Sequence, residues 1–180
     1  MSEELNELKE HAEHAKEDPT LAPVSLTMAV LAVLVAVVSL LGHRAHTEEV
    51  VFQGQSSDTW AHYQAKNIRS HEDLLFIDQT SVQATTDAAA LAKLRDKYSQ
   101  EAARYKDEMT DLDREARKLD AEVHTEMDRA DRFDLAEVFL EIGLVITSIT
   151  LLSGRRIFWF LGIVLGVVGV VVAGTGFLLH

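Results

Sequence analysis

Three stretches of this chain are too apolar to stay in water, and their spacing constrains everything between them. Residues 24–41 are an uncharged run of 18. That length suits a helix across a hydrocarbon core of ~30 Å. Residues 157–179 form another such run, opened by Phe158, Trp159 and Phe160, an aromatic group of the kind that sits at a membrane–water interface. The remaining block, 133–153, reads FDLAEVFLEIGLVITSITLLS. Its uncharged part, 142–152, covers only ~16 Å of helix. To cross a membrane it must take Glu141 inside, near the bilayer midplane, and Glu137 with it.

The last two blocks are joined by a short loop at 153–156, so they form a tight antiparallel pair. The first two are separated by a long polar stretch. The expected fold is an all-α membrane protein with transmembrane helices at 21–43, 134–153 and 157–179. A long antiparallel, coiled-coil-like helical hairpin occupies 44–133, with its turn near 79–87. The preceding segment, 1–20, is acidic and reads as a short helix or as disordered chain. Its Leu5, Leu8, Ala12 and Ala15 make too thin an apolar face to fold alone, and Pro19 and Pro23 interrupt it.

The hairpin is expected because 43–132 contains no proline and only one glycine, Gly54. In its second arm Leu91, Leu94, Tyr98, Ala102, Tyr105, Met109, Leu112, Ala116, Leu119 and Val123 recur every three or four residues. That is a heptad-type seam. Asp87 precedes it as a candidate N-cap. No stop signal intervenes between Leu91 and Ser153, so one helix of ~95 Å is expected to run from the hairpin into the second span. The first arm is less regular. Val50, Val51, Trp60, Ala61, Tyr63, Ala65, Ile68, Leu74, Leu75 and Phe76 supply its apolar contacts.

Two spans carry stripes of small residues. In the first, Ala29, Ala32 and Ala36 lie in register with Ser25, Ser39, His43 and His46; in the third, Gly162, Gly166, Gly169 and Ala173 lead to Gly176. In lipid, helices associate by close packing, which small faces allow. The stripes are therefore candidate packing faces. With the isolated hairpin, they predict a homo-oligomer in contact with the lipid bilayer. The second span carries the candidate polar site. Asp134, Glu137 and Glu141 share one helical face and match the first span in depth at His43, Ser39 and Ala36, and the third span at 166–169. One reading is a proton- or cation-accepting site. The plainer reading is a structural contact, with Glu141 protonated and Asp134 paired to His43.

Composition removes other classes. A net charge of −12 argues against nucleic acid as a partner. No cysteine is present, which excludes disulfides and thiol chemistry. No phosphate loop, GxSxG, HExxH or dinucleotide fingerprint occurs, so no enzyme, cofactor or catalytic residue is expected. The pairs His11/His14 and His43/His46 supply two ligands each, too few for a closed metal site, and no metal site is assigned. Trp60, His62, Tyr63, Lys66, Asn67 and Arg69 form an aromatic–polar patch. It reads first as hairpin packing and second as a surface for a protein partner. Arg155 and Arg156 place the 153–156 loop and the N-terminus on the cytoplasmic side.

Three segments, LGHRAHTEE at 41–49, WAHYQAKNIR at 60–69 and RFDLAEVFLEIG at 132–143, together resemble the bacterial membrane-protein family known as domain of unknown function 4337. The resemblance implies a bacterial inner-membrane protein and brings no activity, cofactor or site residue. The function expected from the residues is a self-associating membrane scaffold that presents its hairpin for interaction. The alternative is an oligomeric channel or transport-associated subunit using Glu137 and Glu141. A weaker alternative is a pH or metal sensor built on His43 and the acids.

Overall fold

The computed structural model describes residues 21–82 and 86–178, so the acidic segment expected at 1–20 lies outside the described residues. Among them are three α-helices: α1 (Ala22–Ser81), α2 (Ala88–Ser153) and α3 (Arg156–Gly176). Each is long and apolar enough to cross a membrane. Pro23 falls in the first turn of α1, where a missing N–H costs nothing. Asp87 caps α2 as its position predicts, its Oδ1 accepting the Ala90 N–H at 2.9 Å. Without an internal breaker α2 runs unbroken for 66 residues. Gly154 ends it at φ +67°, donating its N–H to the Thr150 carbonyl at 2.9 Å. A glycine takes that left-handed conformation without a Cβ penalty. The loop expected at 153–156 contracts to Gly154 and Arg155.

The chain divides into two compact units, one of Met1–Glu48 with Thr125–His180, the other of Glu49–His124. In the first, a core forms from Leu31, Val38 and Ala45 of α1, Ala130, Phe133, Ala136 and Leu140 of α2, and Ala173 of α3. The glycine face of α3 is buried along its length, and large side chains of both neighbours fill it. A Cβ on Gly166 would lie 2.6 Å from Leu31 Cδ2, and one on Gly169 would lie 2.8 Å from Leu140 Cγ. This is knob-into-notch packing, in which many close contacts add up to a large dispersion gain.

The first helix departs from expectation. It buries Val24, Met28, Leu31, Val38 and Ala45, the face beside the small stripe. Ala29 and Ala36 are exposed, and Ala32 and Ser39 are half-buried. The reason is volume. Leu31 of α1 fills the space over Gly166 of α3, whereas the close approach of small faces is made by Gly143 of α2 against Gly162 and Gly166.

The second unit pairs the two polar arms. Lys66 Nζ meets Glu108 Oε2 at 2.5 Å, Phe76 and Tyr98 stack with centroids 4.7 Å apart, and Arg95 Nε donates to Thr80 Oγ1 at 3.0 Å. The α2 seam faces inward as expected, with Ala102, Ala116 and Val123 buried; Leu94 is the exception and is exposed. On α1 the buried positions are Ser56, Ser70 and Thr80. The aliphatic residues expected to supply contacts there, Val50, Val51, Ile68, Leu74 and Leu75, are exposed instead. Small hydroxyl residues fit the seam and meet polar partners from α2, Ser56 with Asp120 and Thr80 with Arg95, so the seam selects size over apolarity.

Candidate functional site

In the first unit the α2 side chains buried against the other helices are Glu126, Ala130, Phe133, Ala136, Leu140, Thr147 and Thr150. These positions continue the spacing of the α2 seam from Val123 in register, and the three acids fall on its flank. Asp134 and Glu141 are exposed, and Glu137 is half-buried.

Asp134 reaches α1. Its Oδ2 lies 3.1 Å from His46 Nε2, while Oδ1 lies over Gly42, where an added Cβ would stand 3.1 Å from it. A glycine inside a helix costs about 1 kcal/mol relative to alanine; here it makes room for a carboxylate. The pairing expected with His43 is corrected by one turn. His43 points its Nδ1 back to the Ser39 carbonyl at 3.2 Å. The His46–Asp134 pair is about half exposed on both sides, 49% and 53%, which limits its contribution to about 1 kcal/mol or less.

Glu137 and Glu141 make no hydrogen bond or ion pair with the described residues. The depth match of Glu141 to Ala36 and 166–169 does not become a contact, since Leu31 fills Gly166 and Leu140 fills Gly169. Glu141 instead emerges among the exposed side chains of Val138, Ile142 and Val145. Of the five candidate polar residues, the fold joins His43 to Ser39 and leaves Asp134, Glu137 and Glu141 on a common flank. Among the described residues no three His, Asp or Glu side chains are grouped to hold a metal.

Two polar clusters were not singled out from the sequence. At the edge of the first unit, Arg129 Nη1 donates to both carboxylate oxygens of buried Glu126, at 2.7 and 3.0 Å. Their i, i+3 spacing was the available signal. In the second unit Asp120 accepts the hydroxyl of buried Ser56 and the indole N–H of Trp60 at 3.2 Å. Those two bonds hold its carboxyl below the ordinary value of 3.8. Trp60 belongs to the aromatic–polar patch read from the sequence, but nothing local joins it and Ser56 to Asp120, which comes from the other helix. Nearby, Lys66 lies 5.0 Å above the Tyr105 ring, and its hydrogen bond to Glu108 lowers that carboxyl. Asp73 goes the other way, raised by burial and then by the charges of Glu101 and Glu72.

The geometry is that of a helical packing protein with an uncovered acidic flank. The family model for Domain of unknown function (DUF4337) matches residues 20–179. The chain belongs to this family. No curated protein matches it, and no solved structure does. The DUF4337 match covers all three helices and both polar arms, so the arms are as much a part of the family's domain as the apolar spans.

Proposed function

We propose that this DUF4337 protein is a non-enzymatic, three-span protein of the bacterial inner membrane. It self-associates through its polar arms, which form an antiparallel hairpin that serves as a scaffold. The observation that carries this reading is the outward face of α1. Val51, Gly54, Ala61, Ala65, Ile68 and Leu75 fall on one heptad-spaced line that Asp58 and Glu72 interrupt, and its large members Val51, Ile68 and Leu75 are 51%, 58% and 56% exposed. Outside a membrane, an exposed apolar line of this kind favours a partner. A second copy suits it, because copies anchored with the same topology lie parallel and bring equivalent positions together. Arg155 and Arg156 support a cytoplasmic α2–α3 linker.

Glu141 favours a second reading, a channel or transport-associated assembly. An acid on an aliphatic helix surface is stable in a bilayer only against protein or water. A subunit interface along the Glu137/Glu141 flank meets that demand and also creates a polar path.

The chain has no cysteine, which makes the test clean. Ala61→Cys, Ala65→Cys and Ile68→Cys, each introduced singly, are oxidised in native membranes. Disulfide-linked dimers are expected at one or more of these positions and not at Ala102→Cys, which lies in the inward seam. Equal cross-linking at Ala102 and the three outward positions refutes the interface.

A further inference from the structure

At one end of the first unit, where α2 gives way to α3, lies a pocket of about 140 Å³. Pro23 and Val24 of α1, Thr150 of α2, Gly154 of the linker, and Arg156 and Trp159 of α3 line it. Three features converge there.

The first is Thr150. It is 1% exposed, yet its Oγ1 has no hydrogen-bond partner. Its neighbours behave differently. Thr147, Ser148 and Ser153 donate to the carbonyls of Gly143, Val145 and Ile149 at 2.7, 2.7 and 2.8 Å. Such bonds within the turn are the usual outlet for a hydroxyl in an apolar helix. Thr150 forgoes that outlet and stands in the pocket wall with its donor unspent, and buried polar groups of this kind call for a partner.

The second is the start of α3. Arg155 is its N-cap and makes no side-chain capping bond; its own N–H goes to Ser153 Oγ and the Phe158 N–H to the Arg155 carbonyl, both at 3.3 Å, which leaves the N–H groups of Arg156 and Ile157 and the positive end of the helix dipole for an anion. The third is Arg156, exposed beside the pocket and without an ion-pair partner among the described residues. The Trp159 indole N–H is already given to Thr27 Oγ1 at 3.0 Å. The ring therefore acts as a wall, and the donors are a guanidinium, backbone N–H groups and a hydroxyl. Donors arriving from several directions match an oxyanion with several acceptor oxygens, and Arg is the side chain best suited to phosphate.

We infer that this pocket binds a phosphate group, held by Arg156, the N-terminus of α3 and the Thr150 hydroxyl. The phosphate belongs either to a phospholipid headgroup or to a free phosphate anion. The lipid source rests on the membrane-spanning reading proposed above; the phosphate chemistry does not.

The test uses the full chain, delipidated in an uncharged detergent. Native mass spectrometry follows its retention of dioleoyl phosphatidylglycerol against dioleoylglycerol, which lacks the phosphate, and phosphorus NMR follows inorganic phosphate. Retention of the phospholipid is expected to exceed that of dioleoylglycerol by about tenfold or more. Arg156→Gln is expected to weaken it about tenfold, and Thr150→Val, which keeps the shape and removes the donor, about threefold. Arg44→Gln, whose arginine pairs with Glu48 at 3.0 Å, serves as the control and leaves retention unchanged. Inorganic phosphate that binds and displaces the phospholipid assigns the site to the free anion. Phospholipid retention without inorganic phosphate binding assigns it to the headgroup. Equal retention of dioleoylglycerol with no binding of inorganic phosphate overturns the inference. So does phosphatidylglycerol binding that neither Arg156→Gln nor Thr150→Val alters. Failure of the membrane reading shows separately, as loss of the chain from the membrane fraction.

Discussion

Gly162→Ala tests the three-helix packing with one methyl group. A Cβ at Gly162 would stand 2.7 Å from the Gly143 carbonyl oxygen and also collide with Thr147. The side chain of Thr147 can turn; the backbone of α2 cannot. Bringing the contact to 3.4 Å, the near edge of ordinary van der Waals distance, moves α3 away from α2 by 3.4 − 2.7, about 0.7 Å. A gap of that size forfeits a quarter to a half of each dispersion contact along the seam. For a seam with about as many contacts as one buried leucine, ~50 pairs at ~0.15 kcal/mol, the loss is ~2–4 kcal/mol, near the ~1–3 kcal/mol usual for overpacking. The assay is reversible unfolding in mixed detergent micelles, read by fluorescence of Trp159, which lies on α3. Gly174→Ala is the matched control, because nothing lies within 4 Å of its added Cβ; it is expected to be neutral or stabilising by up to about 1 kcal/mol. If Gly162→Ala unfolds like Gly174→Ala, the glycine face of α3 is not packed against α2 and the reasoning fails.

Other expected outcomes follow from the second unit. Asp120 has a depressed folded-state pKa, so its contribution is present above the ordinary value of 3.8 and lost as pH falls below it. Asp120→Asn is expected to flatten the acid limb of unfolding monitored at Trp60, and an unchanged limb contradicts the Ser56–Asp120–Trp60 cluster. Asp73 has the opposite sign, with its folded-state pKa raised. Asp73→Asn is therefore expected to raise the melting temperature at neutral pH, and a lower one counts against this account of Asp73. Ala116→Pro breaks α2 at a residue with no exposure and is expected to cost ~3 kcal/mol or more, visible as lost helical circular dichroism. Glu72 interrupts the outward line of α1, so Glu72→Leu is expected to strengthen association and reduce its dependence on salt, as measured by sedimentation. Weaker association with Glu72→Leu places the interface elsewhere.

The three apolar helices and the unbroken α2 were legible because long uncharged runs and missing breakers are local signals. The inward seam of α2 was legible for the same reason, apart from Leu94. The partners of each face were not. Small residues on α1 and α3 looked alike in sequence, but Gly166 and Gly169 are filled by Leu31 and Leu140 while Gly162 meets Gly143 and Thr147. The inward face of α1 in the second unit was hidden because periodicity searches follow aliphatic residues, whereas Ser56, Ser70 and Thr80 line that seam. At the acidic flank, the three- and four-residue spacing that runs through Ala116 and Val123 continues without a slip through Glu126, Ala130, Phe133 and Leu140, which are buried, so Asp134 and Glu141 fall beside the seam. The sequence carried that register, but the acids drew the eye one position along. Asp134 accordingly meets His46 rather than His43, and Glu141 faces outward.

The mass of the intact assembly tests self-association most directly. Native mass spectrometry of the unmodified chain, released from mild detergents and from lipid nanodiscs, is expected to show an integral multiple of 20.0 kDa that collapses towards the monomer with Ile68→Glu and Leu75→Glu. A single species at 20.0 kDa under all of these conditions contradicts the account.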